Sequence, residues 1–355
     1  MTILTSHERM KRTYEHRDAD RIPVTDYPWG ATLQRWHNEG MPTDVDYVDY
    51  FDLDKIASFG ADNSPRYPAA TIEDTDEYSI FTSGWGATMK QTKQHASTPD
   101  FVDFIVKDPE TWKDAKSRMT PSKDRIDWKS LDKNYKYWRK NDYWITAGFW
   151  FGFDITHSWF IGTETILMAL IEEPEWCIDM FNTELDMNIA LTEMMLDAGY
   201  EFDAINWPDD MGYKYHTFFS VNTYREILKP VHKRAIDWAH SKGMKAFMHS
   251  CGDIRTFLPE LIDIELDALN PLEVKAGMDP VKIKAEYGDK LVLCGGLNAV
   301  SFNNMDVMEA EMRAVLPSMK QNGGYICSSD HSVPESVSLE DFKRFVSLAK
   351  KLGSY

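Results

Sequence analysis

The chain has little cysteine and no apolar run that approaches the length needed to span a bilayer. Its four cysteines are scattered over 355 residues, which excludes a disulfide framework. The opening residues, Met1 to Arg12, lack the apolar stretch of a secretion signal, so a cytoplasmic protein is expected. Positive charge is also scarce. With 39 basic against 57 acidic side chains the net charge is −18, which argues against nonspecific binding to nucleic acid or to an anionic membrane. There is no internal repeat and no low-complexity segment. No Gly-x-Gly-x-x-Gly opens the first strand and helix, so a dinucleotide-binding sheet is not expected.

What is present is a rhythm. Ile22–Thr25 reads as a first short strand. From residue 143 onward, short apolar runs at 143–149, 202–207, 245–249, 268–271, 291–294 and 325–327 alternate with helical patterns at 164–171, 174–196, 223–242, 256–264, 280–287, 305–321 and 339–351. That alternation builds a parallel sheet, and it predicts an α/β fold of the (β/α)8 TIM-barrel type, one domain over residues 1–355. Seven strands can be counted, and the missing one is expected before residue 143. The irregular stretch at about 30–140 reads as an excursion covering the barrel mouth, with a hairpin over Tyr78–His95 around Ser83-Gly84-Trp85-Gly86 and a helix opening at Pro109.

In such a barrel the chemistry sits at the carboxyl ends of the strands. Asp26, Trp150, Trp207 with Asp209 and Asp210, His249 with Cys251, Asn270, Asn298, and Cys327 with Asp330 and His331 all follow expected strand ends. His249 and Cys251 are the most informative, because side chains two apart on a strand share a face and can reach one metal ion. Cys327, at the end of another apolar run, is a candidate third ligand. One imidazole and two thiolates with a position left open form a catalytic zinc pattern, whereas structural zinc is closed by four protein ligands. The same three residues are equally compatible with two buried cysteines and a core histidine.

Several short motifs, taken together, resemble the uroporphyrinogen decarboxylase superfamily over nearly the whole chain. They are Arg21-Ile-Pro-Val24, Asp209-Asp-Met-Gly212, Tyr224-Arg225 with Pro230, His249-Ser-Cys-Gly252, Asp267-Ala-Leu-Asn-Pro271, Gly295-Gly-Leu297, and Ser329-Asp-His331 with Pro334. Within that superfamily the His-x-Cys…Cys set is similar to the zinc site of corrinoid-dependent methyltransferases, including those that use coenzyme M and the methyltransferase components of bacterial O-demethylases. The resemblance implies zinc on His249, Cys251 and Cys327, and a corrinoid (cobalamin) carried by a corrinoid-binding partner protein. The arginine-rich segment by which true decarboxylases hold their substrate is replaced by Asp26-Tyr27-Pro28-Trp29-Gly30-Ala31. An acidic, aromatic entrance does not suit a carboxylate-rich tetrapyrrole.

These readings converge on transfer of a methyl group from a methoxylated aromatic compound to a Co(I) corrinoid. The alternatives are methyl transfer from a corrinoid protein to a thiol such as coenzyme M, and decarboxylation of a carboxylated ring, which would need at least two pocket arginines; Arg225 and Arg255 are available. For the ether reaction Trp29, Trp150, Trp207 and Tyr213 are expected to enclose a flat ring. Asp209 or Asp210 is expected to protonate the leaving oxygen or anchor a ring hydroxyl. Asn298 and His331 are further substrate candidates. Glu164 is a candidate fourth zinc ligand, its other role being a carboxylate at a helix start.

Overall fold

The computed structural model describes residues 3–93 and 98–355. Its strands are β1 (Ile56–Gly60), β2 (Thr71–Asp74), β3 (Tyr78–Thr82), β4 (Ala87–Thr92), β5 (Asp100–Phe104), β6 (Trp144–Gly148), β7 (Ala204–Pro208), β8 (Lys245–His249), β9 (Ala268–Asn270), β10 (Val292–Cys294) and β11 (Tyr325–Ile326). They form a seven-stranded parallel sheet in the order β1-β6-β7-β8-β9-β10-β11 and a four-stranded antiparallel sheet in the order β2-β3-β4-β5. The missing strand is β1, which pairs with β6 in register Ile56↔Trp144 to Gly60↔Gly148. This strand of the main sheet lies within the first half of the stretch at 30–140.

Ile22–Thr25, expected as a strand, lies in an extended segment over residues 21–28 that makes isolated bridges, Val24↔Cys327 and Pro28↔Val333. Pro23 and Pro28 have no N–H to give to a ladder, so regular pairing cannot be sustained. The segment still touches both edges of the sheet. Thr25 N donates to Cys327 O at 2.9 Å and Asp54 N, just before β1, donates to Val24 O at 2.9 Å.

Side-chain alternation along the parallel strands sorts the core into two layers. On the inner face lie Trp144, Ala204, Ala268, Val292, Cys294 and Ile326, joined by Met10 and Tyr14 from the N-terminal helix Ser6–Tyr14. Tyr14 stacks on Trp144 at 5.0 Å between ring centroids. On the outer face the larger cluster, including Trp207, Met248, Leu269, Leu293 and Cys327, packs against the helices. The hairpin predicted around Ser83–Gly86 is β3 and β4, paired from Tyr78↔Thr92 to Thr82↔Thr88; its expected end at His95 lies outside the described residues. The antiparallel sheet packs on the segment after β6, with Phe101 edge-on to Trp159 at 5.4 Å. Pro109–Arg118 is a helix closed by a capping box at Asp108 and Thr111.

Candidate metal centre

The carboxyl ends of β7 and β8 are neighbours, with Pro208 opposite His249. The loops that follow are laced together. Asp209 N donates to His249 O at 2.7 Å, Met211 N donates to Ser250 Oγ at 3.1 Å, and Cys251 N donates to Asp210 Oδ1 at 2.7 Å. Gly252 sits at φ +84°, and a Cβ there would lie 2.2 Å from the Gly212 carbonyl carbon, so only glycine lets the two loops approach this closely.

This lacing gathers three ligand-capable side chains, Asp210, His249 and Cys251, whose donor atoms all lie within 4.8 Å of one another. Cys251 Sγ is 3.3 Å from His249 Nε2, and Asp210 Oδ1 is 3.6 Å from the same nitrogen. Donors on a tetrahedral zinc, with bonds of roughly 2.0–2.3 Å, stand about 3.3–3.6 Å apart. The donor set therefore fits such an ion. His249 Nδ1 is 2.7 Å from Asn270 Oδ1, and an amide oxygen can only accept. The proton is thereby held on Nδ1 and the Nε2 lone pair is free for a metal, the usual outer hydrogen bond of a ligating histidine.

The electrostatics point the same way. Burial raises the Asp210 carboxyl, opposed by His249. Burial pushes the Cys251 thiol well above its ordinary value, and the carboxylates of Asp210, Glu273 and Asp154 push it further. Glu273 is held there by Gly252 N, which donates to its Oε2 at 2.8 Å. Crowded like charge of this kind is relieved by a bound cation, which also favours the thiolate.

Cys327, expected as the third ligand, is not among them. Ile326 and Cys294 line the inner face, and Ser328 Oγ is 3.6 Å from Cys294 Sγ, so Cys327, lying between Ile326 and Ser328, points to the outer layer. It is fully buried there. Asp210 stands in its place, on the loop beside His249.

Other expectations are also corrected. Glu164 is exposed in the first turn of the helix Thr163–Glu172, outside the ligand group, where its carboxylate suits the helix dipole. Trp207 faces outward, buried between Phe151 at 5.5 Å and His232 at 5.7 Å. Asp209, beside Asp210 in sequence, also turns outward to the helical layer: it is fully buried, 2.6 Å from His232 Nε2, and His232 Nδ1 is 3.0 Å from the Tyr224 hydroxyl. Its other oxygen accepts from Asp154 N at 2.8 Å, so both oxygens are engaged and it fixes the loop after β6. Asn298 spends its amide oxygen on Val300 N, capping a short 3-10 turn, and Asp330 accepts from Ala299 N and Val274 N. Trp29, Trp150 and Tyr213 are about half exposed, at 38%, 40% and 43%, and exposed His331 lies 6.0 Å from the Trp29 ring. The sequence put Asn270 at a strand end without a role, and gave no sign of Glu273, Asp154 or the buried Glu184, whose parts depend on contacts distant in the chain.

Comparison with curated proteins gives no match. Among solved structures, a methyltransferase from Methanosarcina mazei has a similar fold, with a TM-score of 0.67 at 15% sequence identity, the match covering 98% of this chain and 99% of that one. Residues 155–352, more than half of the chain and including all three clustered ligand-capable side chains, match the family model of uroporphyrinogen decarboxylase (URO-D), and the chain belongs to that family.

Proposed function

We propose that the chain is a zinc-dependent methyltransferase that moves a methyl group from a methoxylated aromatic compound to the Co(I) corrinoid of a partner protein, as in an O-demethylase. The observation that carries this reading is the open three-donor set of Asp210, His249 and Cys251. The M. mazei methyltransferase of similar fold supports it. The reading assumes one domain over the whole chain, a closed (β/α)8 barrel in which residues 21–28 serve as the first stave, and an excursion over its mouth.

Zinc bound here would supply a Lewis acid with one position open for the ether oxygen. Cys251 and Asp210 contribute two negative charges that balance the dication, while Asn270 fixes the ring of His249. A carboxylate in place of a second thiolate makes the ligand set harder, which favours an oxygen substrate over a thiol. Decarboxylation of an acidic ring is disfavoured because its candidate cations are engaged on the surface: Arg225 pairs with Glu260 at 2.5 Å and Arg255 with Asp253 at 2.7 Å.

The test is metal content of the purified protein beside Cys251→Ser and Cys327→Ser, followed by spectrophotometric methyl transfer from methoxybenzenes to a Co(I) corrinoid. About one zinc per chain is expected in the wild type and in Cys327→Ser, and little in Cys251→Ser. Equal loss in both variants would overturn the ligand set. Loaded enzyme that methylates no corrinoid from any aryl ether would overturn the substrate.

A further inference from the structure

The inner face of the parallel sheet encloses a cavity of about 160 Å³, directly beneath the ligand group. Asn270 joins the two, since it lines the cavity and holds His249. The cavity is open at the top, where Ser58 is exposed and Tyr27 is 58% exposed, and closed at the bottom by the stacked pair Tyr14 and Trp144, each 5% exposed. Its walls include Met10, Ile56, Phe247 and Ile326.

Two properties define what fits. An apolar protein cavity of about 150 Å³ accepts one benzene ring, so this volume suits a single six-membered ring and not a fused pair. The polar atoms are mostly donors without partners. Trp144 Nε1 has none, and among the described residues no hydrogen bond reaches the Tyr14 or Thr25 hydroxyl. Asn206 accepts from Ser58 Oγ at 2.9 Å and Thr146 Oγ1 at 2.7 Å, which leaves its N–H groups to spare. Among the described residues no lysine, arginine or histidine lines the space. An anion would be desolvated there without a counter-charge, whereas a neutral oxygen would satisfy the idle donors.

We propose that this cavity is a binding well for one neutral six-membered ring carrying a hydrogen-bond-accepting oxygen, its floor formed by Tyr14 and Trp144. This inference rests on the methyl-ether reading and deepens it. The ring is held inside the sheet, below the ligand group, and the aromatic rim of Trp29, Trp150 and Tyr213 is left free. An ether oxygen at the top of such a ring would turn its methyl group outward, toward an incoming partner.

Calorimetric titration of the full chain, metal-free and zinc-loaded, with 2-methoxyphenol, benzoate and 2-naphthol tests the proposal. The expected result is that 2-methoxyphenol binds even without metal, at least tenfold more tightly than benzoate or 2-naphthol. Tyr14→Phe, which keeps the stacking, is expected to weaken it about fivefold. Ser58→Leu, which fills the open end, is expected to abolish it. Zinc content serves as the folding control for both variants. Equal affinity for benzoate, or unchanged affinity in both variants, would overturn the well. Binding that obeys this pattern with no methyl transfer on zinc loading would keep the well and sink the ether reading. Methyl transfer with an unaltered KM in both variants would do the reverse.

Discussion

At the scale of single residues, Asn270 orients His249, the histidine of the proposed metal centre. Removing such an outer hydrogen bond typically costs a metal site about 10–100-fold in affinity. Asn270→Ala is therefore expected to lower zinc affinity by that order in a chelator competition while the melting temperature stays near that of the wild type; unchanged affinity would mean the bond is incidental. Glu184 makes a different prediction. It is fully buried, accepts from Gly152 N at 3.0 Å and Thr156 Oγ1 at 3.1 Å, and burial raises its carboxyl to about 8. Because the folded pKa lies above the unfolded one, its protonated form stabilises the fold fully below the unfolded value near ~4.3, and that stabilisation is lost as pH rises toward 8. Glu184→Gln should remove this loss, so denaturant midpoints between pH 5 and 8 should fall less steeply in the variant; parallel slopes would refute the assignment. His249 and Cys251 were legible in the sequence because strand periodicity puts residues two apart on one face. Cys327 was not, since a single residue of phase in β11 decides between the inner and outer face.

At the scale of elements, the six strands from β6 to β11 were legible because each is a short apolar run followed by a helical pattern. β1 is not legible in the same way, because Ile56-Ala-Ser-Phe-Gly60 is brief and sits among irregular segments. The helix expected at 223–242 is interrupted, with a π turn at Tyr224–Leu228 before Lys229–Ser241, where Pro230 lacks an N–H for the ladder. The loops after β7 and β8 carry the proposed metal centre. Gly252→Ala would force an added carbon against the Gly212 backbone, which must shift because no flexible side chain is there to yield. We expect at least a tenfold loss of zinc affinity, larger than any change in cooperativity of unfolding; an intact metal site in this variant would show that the loops move freely.

At the scale of the whole molecule, the N-terminal region is tied to the sheet by a buried ion cluster. Asp54, fully buried, accepts from Arg9 at 2.5 Å, from Arg21 at 2.6 Å and from Val24 N at 2.7 Å, while Arg9 also holds Asp20 at 2.7 Å. Removing one partner of such a buried set leaves charge uncompensated, at a cost of about 3–5 kcal/mol. Asp54→Ala should lose that much in urea denaturation, and a loss under about 1 kcal/mol would show that the arginines find water instead. None of this was legible beforehand, because Arg9, Arg21 and Asp54 look like ordinary surface charge until the fold brings them together.

The outward turn of Cys327 has one more consequence. Of the four cysteines, Cys177, Cys294 and Cys327 are buried and Cys251 alone is partly accessible. The unmodified protein thus carries a built-in reporter. A thiol-directed label should attach at one position, and peptide mass mapping should find it at Cys251 in metal-free protein and nearly absent once zinc is added.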